Sequence, residues 1–222
     1  IRGFNYIQSS FTEKSRLTDA YDHDTVDREM GYAEKLNLNS ARFFLRYIDY
    51  VHDKEMFLHN LKDFVQTAWK HGISTSPVVF SGPFGGFCFL PEDEAYLPTH
   101  DGGLPPLPKT VEDPSSWVLG ERYFDDIYAA IGDEPGLLFW DVANEPGYND
   151  DFVCWYDDEP EYLETFSERP NMEELKEKQE KIWAVVRHFC KYIKSKDPDH
   201  DIGVGNTFIF ETEHSGTAEL VD

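Results

Sequence analysis

Short apolar runs alternate with longer amphipathic runs along almost the whole chain. Five of the short runs have the length and apolar content of buried β-strands. They are residues 3–7, 40–45, 73–80, 136–144 and 201–206. Strict alternation of strands and helices indicates parallel strands joined by crossover helices that lie outside the sheet. The sequence therefore predicts an α/β fold built on a parallel sheet.

The amphipathic runs predict helices between these strands. We expect a helix over residues 24–38 with Asp24 as its N-cap, and a second over 53–72 closed by His71 and Gly72. A short helix over 121–132 and a long helix capped by Asn171 follow. In the second helix, five apolar side chains fall on one face and are expected to cover the sheet: Phe57, Leu61, Phe64, Val65 and Ala68.

Two architectures share this alternation, the closed (β/α)8 or TIM barrel and the open doubly wound sheet. A doubly wound nucleotide-binding sheet has a glycine-rich phosphate turn after its first strand. The segment that follows the first strand here, "IQSSFTEKSRL", contains no glycine. The longest loops follow the third and fourth strands, at the face where barrel active sites are built. We therefore predict a TIM barrel, with residues 1–222 forming one partial barrel domain of about five βα units. We expect either a longer chain or another element to complete it.

The charge of the chain limits the class of partner. Its formal net charge of −23 argues against nucleic acid and against an anionic membrane surface, because both would be repelled. No apolar run approaches the roughly 20 residues that span a bilayer. A neutral or cationic ligand fits this charge, although acidic residues also simply solvate a surface.

The fourth predicted strand ends in a candidate acid. In "LLFWDVANEPGYNDD" an apolar run turns polar at Asn144 and Glu145. A carboxylate at the end of a buried strand is partly desolvated, which raises its pKa toward the range useful to a general acid. Glycoside hydrolysis requires such a protonated carboxyl group and a second carboxylate across the scissile bond. The alternative is a structural glutamate, since Asn-Glu-Pro also forms a turn.

Several segments together resemble clan A retaining glycoside hydrolases of the cellulase and mannanase type (glycoside hydrolase family 5-like). "FWDVANEP" is similar to the fourth-strand motif of that clan, "LNLNSARFFL" to the second, "GFNYI" to the first and "HGISTSPVVF" to the third. The resemblance covers residues 3–206. It implies that Glu145 is the acid/base, that Asn144 contacts substrate and that Arg42 orients the nucleophile. A structural ion pair is the alternative for Arg42. The clan's nucleophile is a glutamate at the end of strand seven, which we expect beyond the given sequence.

Aromatic residues in the predicted loops are candidates for binding sugar rings. Trp117, in the long loop over 81–120, has a broad apolar face that suits the C–H side of a pyranose. Trp155, in the loop after Glu145, and Tyr6, at the end of the first strand, are further candidates. Packing within the loops or the core is the alternative for each.

We predict neither a metal nor a cofactor. The eight histidines have no metal-binding spacing, and the acidic loop after Glu145 matches no calcium motif, so it is interpreted as a solvated loop. Cys190 is expected in the core. A disulfide between Cys88 and Cys154 remains open.

The function predicted from the resemblance is hydrolysis of a β-linked glycan with retention of configuration. A transglycosylase would use the same residues, and a barrel that only binds carbohydrate would lack the second carboxylate. The resemblance also implies export, either secreted or periplasmic. The oligomeric state is left open.

Overall fold

A computed structural model describes residues 1–11, 17–80, 113–146, 172–206 and 215–222, without the side chains of 172–176, 178 and 179. The elements in chain order are β1 (Gly3–Tyr6), α1 (His23–Lys35), β2 (Ser40–Phe44), α2 (Tyr47–His52), α3 (Lys54–Lys70), β3 (Ser74–Phe80), α4 (Trp117–Ile131), β4 (Phe139–Asn144), α5 (Met172–Lys196) and β5 (Asp201–Gly205).

The five strands form one parallel sheet in the order β1-β2-β3-β4-β5. Each strand therefore pairs with the next strand along the chain. A doubly wound sheet reverses its strand order at a switch point, whereas a TIM barrel keeps the order of the sequence. The observed order is that of a barrel and confirms the choice between the two architectures.

The strand register defines two faces of the sheet. Asn5, Arg42 and Ser76 are aligned across β1, β2 and β3, so their side chains project from one face, which we call the inner face. The next aligned pair, Tyr6 and Phe43, projects from the opposite or outer face, where both rings contact α3. The helices thus cover the outer face, as in a barrel.

Aromatic side chains fill much of the core between the sheet and the helices. The ring centroids of Phe80 on β3 and Phe189 on α5 lie 4.4 Å apart. Trp140 on β4 meets Phe124 on α4 edge to face at 5.1 Å. Such pairs add about 0.5–1.5 kcal/mol beyond the burial of their area. The predicted apolar face of α3 is confirmed, since its five residues are buried.

Two helices end in the same way before a strand begins. At the end of α3, Gly72 adopts φ +72°, its N–H bonds the carbonyl of Trp69, and the N–H of Ile73 bonds the carbonyl of Ala68. This is a Schellman motif, in which the left-handed residue favours glycine. Asn37, at φ 57°, has the same role after α1.

The boundaries differ from the sequence-based prediction at two helix starts. Asp22, not Asp24, is the N-cap of α1, and its side chain accepts a hydrogen bond from the Thr25 N–H. Helix α4 begins at Trp117, four residues before the predicted start. Asp113 and Pro114 open a 3₁₀ turn that leads directly into this helix. The short helix α2 was not predicted.

Among the described residues, no helix is both long and apolar enough to cross a bilayer.

His71 joins the end of α3 to α1 through two carboxylates. Its Nδ1 lies 2.8 Å from Glu34 Oε2 and its Nε2 lies 3.0 Å from Asp27 Oδ1. The hydrogen bond to Glu34 raises the pKa of His71 most; burial opposes this increase and Asp27 adds to it. Both ring nitrogens can donate to carboxylates only in the imidazolium form.

The His71 cluster is predicted to stabilise the fold more at acidic than at alkaline pH. Its contribution is full below the unfolded histidine pKa of about 6.5 and is lost as pH rises through the raised pKa of the folded state. We expect His71→Gln to lower the free energy of unfolding by about 0.5 kcal/mol at pH 5.5, a small effect because both carboxylates are largely exposed. At pH 8.5 we expect the substitution to change it little. Urea unfolding measures this, with the exposed His59→Gln on α3 as control. A loss of equal size at both pH values would contradict the prediction.

Candidate active site

Three side chains from two strands meet at the inner face of the sheet. Arg42 on β2 donates from Nε to Asp141 Oδ2 at 2.7 Å, and from Nη2 to Asn144 Oδ1 at 2.9 Å. Its remaining terminal nitrogen, Nη1, lies 3.5 Å from Asn5 Oδ1 on β1. The guanidinium group therefore connects three strands, and all three of its nitrogens face side-chain oxygens.

A register shift in β4 brings Asp141 and Asn144 to the same side. Side chains alternate along a strand, so residues three apart normally project from opposite faces. Asp141 is aligned with Gly203 of β5 and Asn144 with Gly205, so three steps along β4 match two along β5. A bulge of this kind adds one residue and changes the facing of those that follow. It places both Arg42 partners on the inner face.

The surroundings of Arg42 fit its guanidinium closely. The ring of Phe44 lies 4.9 Å from Cζ, as in a cation–π contact. On β5, a Cβ atom at Gly205 would lie 2.8 Å from Arg42 Nη2, closer than any ordinary contact. Glycine at this position therefore makes room for the guanidinium between β2 and β5.

Asp141 is the buried acid of the site, with 4% of its surface exposed. Burial raises the pKa of this carboxyl group above its ordinary value. The Arg42 charge, the Arg42 hydrogen bond and the backbone amides of Gly205 and Ala143 act in the opposite direction. The sequence analysis did not select Asp141. An acid in the middle of an otherwise apolar strand, three residues before Asn144, was the available signal.

Glu145 lies directly after β4 in a backbone conformation that side chains rarely adopt. Its φ is 48°, in the left-handed region, and its N–H donates to the Gly205 carbonyl at 2.6 Å. The side chain is partly exposed, and the following Pro146 is buried. Left-handed backbone costs a non-glycine residue about 1–2 kcal/mol and occurs preferentially at functional sites. Asn144 and Glu145 are thus neighbours at the carboxyl end of β4, as predicted.

Tyr6 does not lie where a sugar-binding residue would. It projects from the outer face, where its ring stacks on Phe64 at 5.3 Å and its hydroxyl donates to Glu29 of α1 at 2.7 Å. Register explains the difference, because in β1 it is Asn5 that aligns with Arg42 on the inner face. The core alternative described for Tyr6 matches its position.

Trp117 lies in a helix and not in a loop. It is the first residue of α4, and its ring centroid is 4.9 Å from that of His188 on α5. Because the helix starts early, Trp117 belongs to the helix layer and not to the long loop in which the sequence analysis placed it. The contact with His188 is a packing contact between α4 and α5.

Other predicted features lie outside the described residues. These are Trp155, Cys88 and Cys154, together with the acidic loop. Cys190 is free and buried, as expected. Within the described ranges, no group of three or more His, Cys, Asp or Glu side chains could hold a metal ion.

Several solved structures that share this fold are glycoside hydrolases. An endo-β-1,4-mannanase from Thermotoga petrophila superposes on 92% of this chain with a TM-score of 0.53 at 15% identity. An endo-1,4-β-mannanase from Rhizomucor miehei gives 0.53 over 89% at 14% identity. The exo-β-1,4-mannosidase Op5Man5 from Opitutaceae bacterium strain TAV5 gives 0.52 over 92% at 17% identity. At identities this low, the superpositions show a shared fold and no more. They confirm the predicted TIM-barrel class.

The chain spans only part of these proteins. It covers 41% of the Thermotoga enzyme, 56% of the Rhizomucor enzyme and 31% of the Opitutaceae enzyme. No protein-family model matches the sequence, and no curated protein matches it either.

The backbone at Glu145 predicts a measurable difference between two substitutions. Glu145→Gly and Glu145→Ala both remove the carboxylate, but only glycine adopts a positive φ without steric cost. We expect the glycine variant to be more stable than the alanine variant by about 1 kcal/mol. Chemical unfolding of both variants measures the difference. The same pair at Glu55, an exposed position within α3, should show the reverse order. Equal stability of the two Glu145 variants would contradict the left-handed conformation.

Proposed function

We propose that this chain forms the acid/base side of a glycoside hydrolase active site that acts on a β-linked glycan with retention. The observation that carries the proposal is the placement of Glu145 at the carboxyl end of β4, directly after an Asn144 held by Arg42. Active sites of TIM barrels are built at this end of the strands. The glycosidase class of the solved structures with this fold adds support.

In the proposed reaction, Glu145 transfers protons in two steps. First, its carboxyl group protonates the leaving glycosidic oxygen while a nucleophilic carboxylate bonds to the anomeric carbon, so the bond between that carbon and the oxygen breaks. Glu145 then removes a proton from water as the water attacks the anomeric carbon and releases the enzyme carboxylate. By the resemblance, that nucleophile is expected at the end of strand seven. A retaining mechanism requires it about 5–5.5 Å from Glu145.

The proposed substrate is a neutral β-linked glycan. A net charge of −23 disfavours polyanionic glycans, whereas a neutral chain is not repelled. Three solved structures with this fold are described as β-1,4-mannanases or a β-1,4-mannosidase, so β-1,4-mannan and its oligosaccharides are the first substrates to test. β-1,4-Glucans are the second. We also propose export of the enzyme, to the medium or the periplasm, because polymeric glycans are met outside the cell.

Glu145→Gln in the complete protein tests the proposed role. We expect turnover of natural oligosaccharides to fall about 10²–10⁴-fold, because the leaving alkoxide needs a proton. Aryl glycosides with acidic leaving groups should retain their first step and accumulate the glycosyl-enzyme. Azide, a nucleophile that needs no general base, should then restore turnover and give a β-glycosyl azide. Glu55→Gln, at an exposed position of α3, is the matched control and should keep wild-type rates.

Three results would distinguish the alternatives. Unchanged turnover of both natural and activated substrates by Glu145→Gln would contradict the acid/base role. A complete protein that binds these glycans but hydrolyses none of them would be a carbohydrate-binding barrel. Longer oligosaccharides as the main product, formed in the presence of an acceptor sugar, would identify a transglycosylase.

A further inference from the structure

Asp141 is a buried carboxylate in a strand whose other residues from Phe139 to Ala143 are apolar. The inner-face residue beside it on β3 is Val78, which is fully buried. Burying a carboxylate carries a desolvation cost, and replacing a buried ion pair with apolar residues often leaves stability unchanged or increased. Fold stability alone therefore does not account for an acid at position 141.

The contacts of Asp141 lead through Arg42 to Asn144. Asp141 accepts from Nε of Arg42, which fixes the plane of the guanidinium and so the direction of Nη2. Nη2 then donates to the side chain of Asn144. A guanidinium has donors only, so it must face the amide oxygen of Asn144. The amide nitrogen of Asn144, which donates two hydrogen bonds, is left for another partner.

We propose that Asp141 is a positioning residue: acting through Arg42, it holds the Asn144 amide so that its NH₂ group is presented to the ligand. Asn144 then presents its NH₂ donors to the ligand, and the ligand atom that meets them is an acceptor with an available lone pair, such as an oxygen. A sugar hydroxyl satisfies this requirement. The ligand class rests on the proposed glycosidase function, whereas the orientation of Asn144 does not.

The surroundings of Arg42 show why Asp141 is needed. Of the other contacts to the guanidinium, Phe44 supplies a ring face without a directional bond, and Asn5 accepts only at 3.5 Å. Gly205 makes room for Nη2 but has no side chain that could bond it. Apart from the bond to Asn144 itself, the short bond from Nε to Asp141 is the directional contact, among those described, that fixes the orientation of the guanidinium.

The direct test follows the side-chain NH₂ signals of Asn144 by ¹⁵N NMR in the complete protein, assigned by their loss in Asn144→Ala. In Asp141→Asn, the charge that fixes Arg42 is gone, so we expect these signals to shift or broaden. Asp197→Asn is the matched control: Asp197 is equally buried, with 2% exposed, and accepts from Trp140 on the outer side of β4. It should leave the Asn144 signals in place. Unchanged signals in Asp141→Asn would overturn the proposal.

A kinetic cycle tests whether this positioning affects turnover. We expect Asp141→Asn and Asn144→Ala each to lower kcat/KM about tenfold or more. The double variant should be within about threefold of Asn144→Ala, because Asp141 acts through Asn144. If the two losses multiply in the double variant, the proposed route is overturned. Asp141→Glu keeps the charge, so it should restore the rate, the NMR signals or both; if it restores neither, the route is also overturned.

The proposed function and the role of Asp141 can fail separately. If the wild-type protein hydrolyses no glycan, the proposed function has failed, while the NMR comparison still decides the role of Asp141. If Asp141→Asn does not fold, Gly205→Ala replaces it, because the added Cβ presses on Arg42 Nη2 without removing a charge. It should shift the Asn144 signals in the same way, and unchanged signals would overturn the proposal.

Discussion

The register shift between β4 and β5 is the constraint on which the site depends. Asp141 and Asn144 both bond Arg42, although three residues separate them along one strand. Without the extra residue, one of the two would project into the helix layer, where Trp140 packs on Phe124. Arg42 would then have either its buried acid or its amide, but not both.

The same shift affects the residue that follows. The pairing of Asn144 with Gly205 brings the Glu145 N–H to the Gly205 carbonyl at 2.6 Å, and the backbone of Glu145 turns to a positive φ at that point. Gly205 therefore serves two neighbours, since it accepts from Glu145 and leaves space for Arg42. β5 contributes to the site through its backbone.

The predictable part of the molecule is the part that periodicity and local chemistry determine. Alternating apolar runs gave the strands and the barrel order, and glycine after His71 gave the end of α3. The predicted positions of Tyr6 and Trp117 were wrong, because they depend on the strand register and on where a helix starts. The facing of Tyr6 depends on a pairing with β2 that no local pattern specifies. Trp117 was assigned to a loop because the turn at Asp113 and Pro114 was not recognised as a helix start.

Asp141 shows why the site itself was only partly predictable. Arg42 and Asn144 were selected through their resemblance to known motifs, but the acid that joins them matters through a contact between residues 99 positions apart. The desolvation of Asp141 and the backbone of Glu145 are both unfavourable locally. They persist because the aromatic core on the outer face stabilises the strands that carry them. The unfavourable groups thus lie on the inner face and the strong packing lies on the outer face. We place the chemistry on the inner face, beside Arg42 and the carboxyl end of β4.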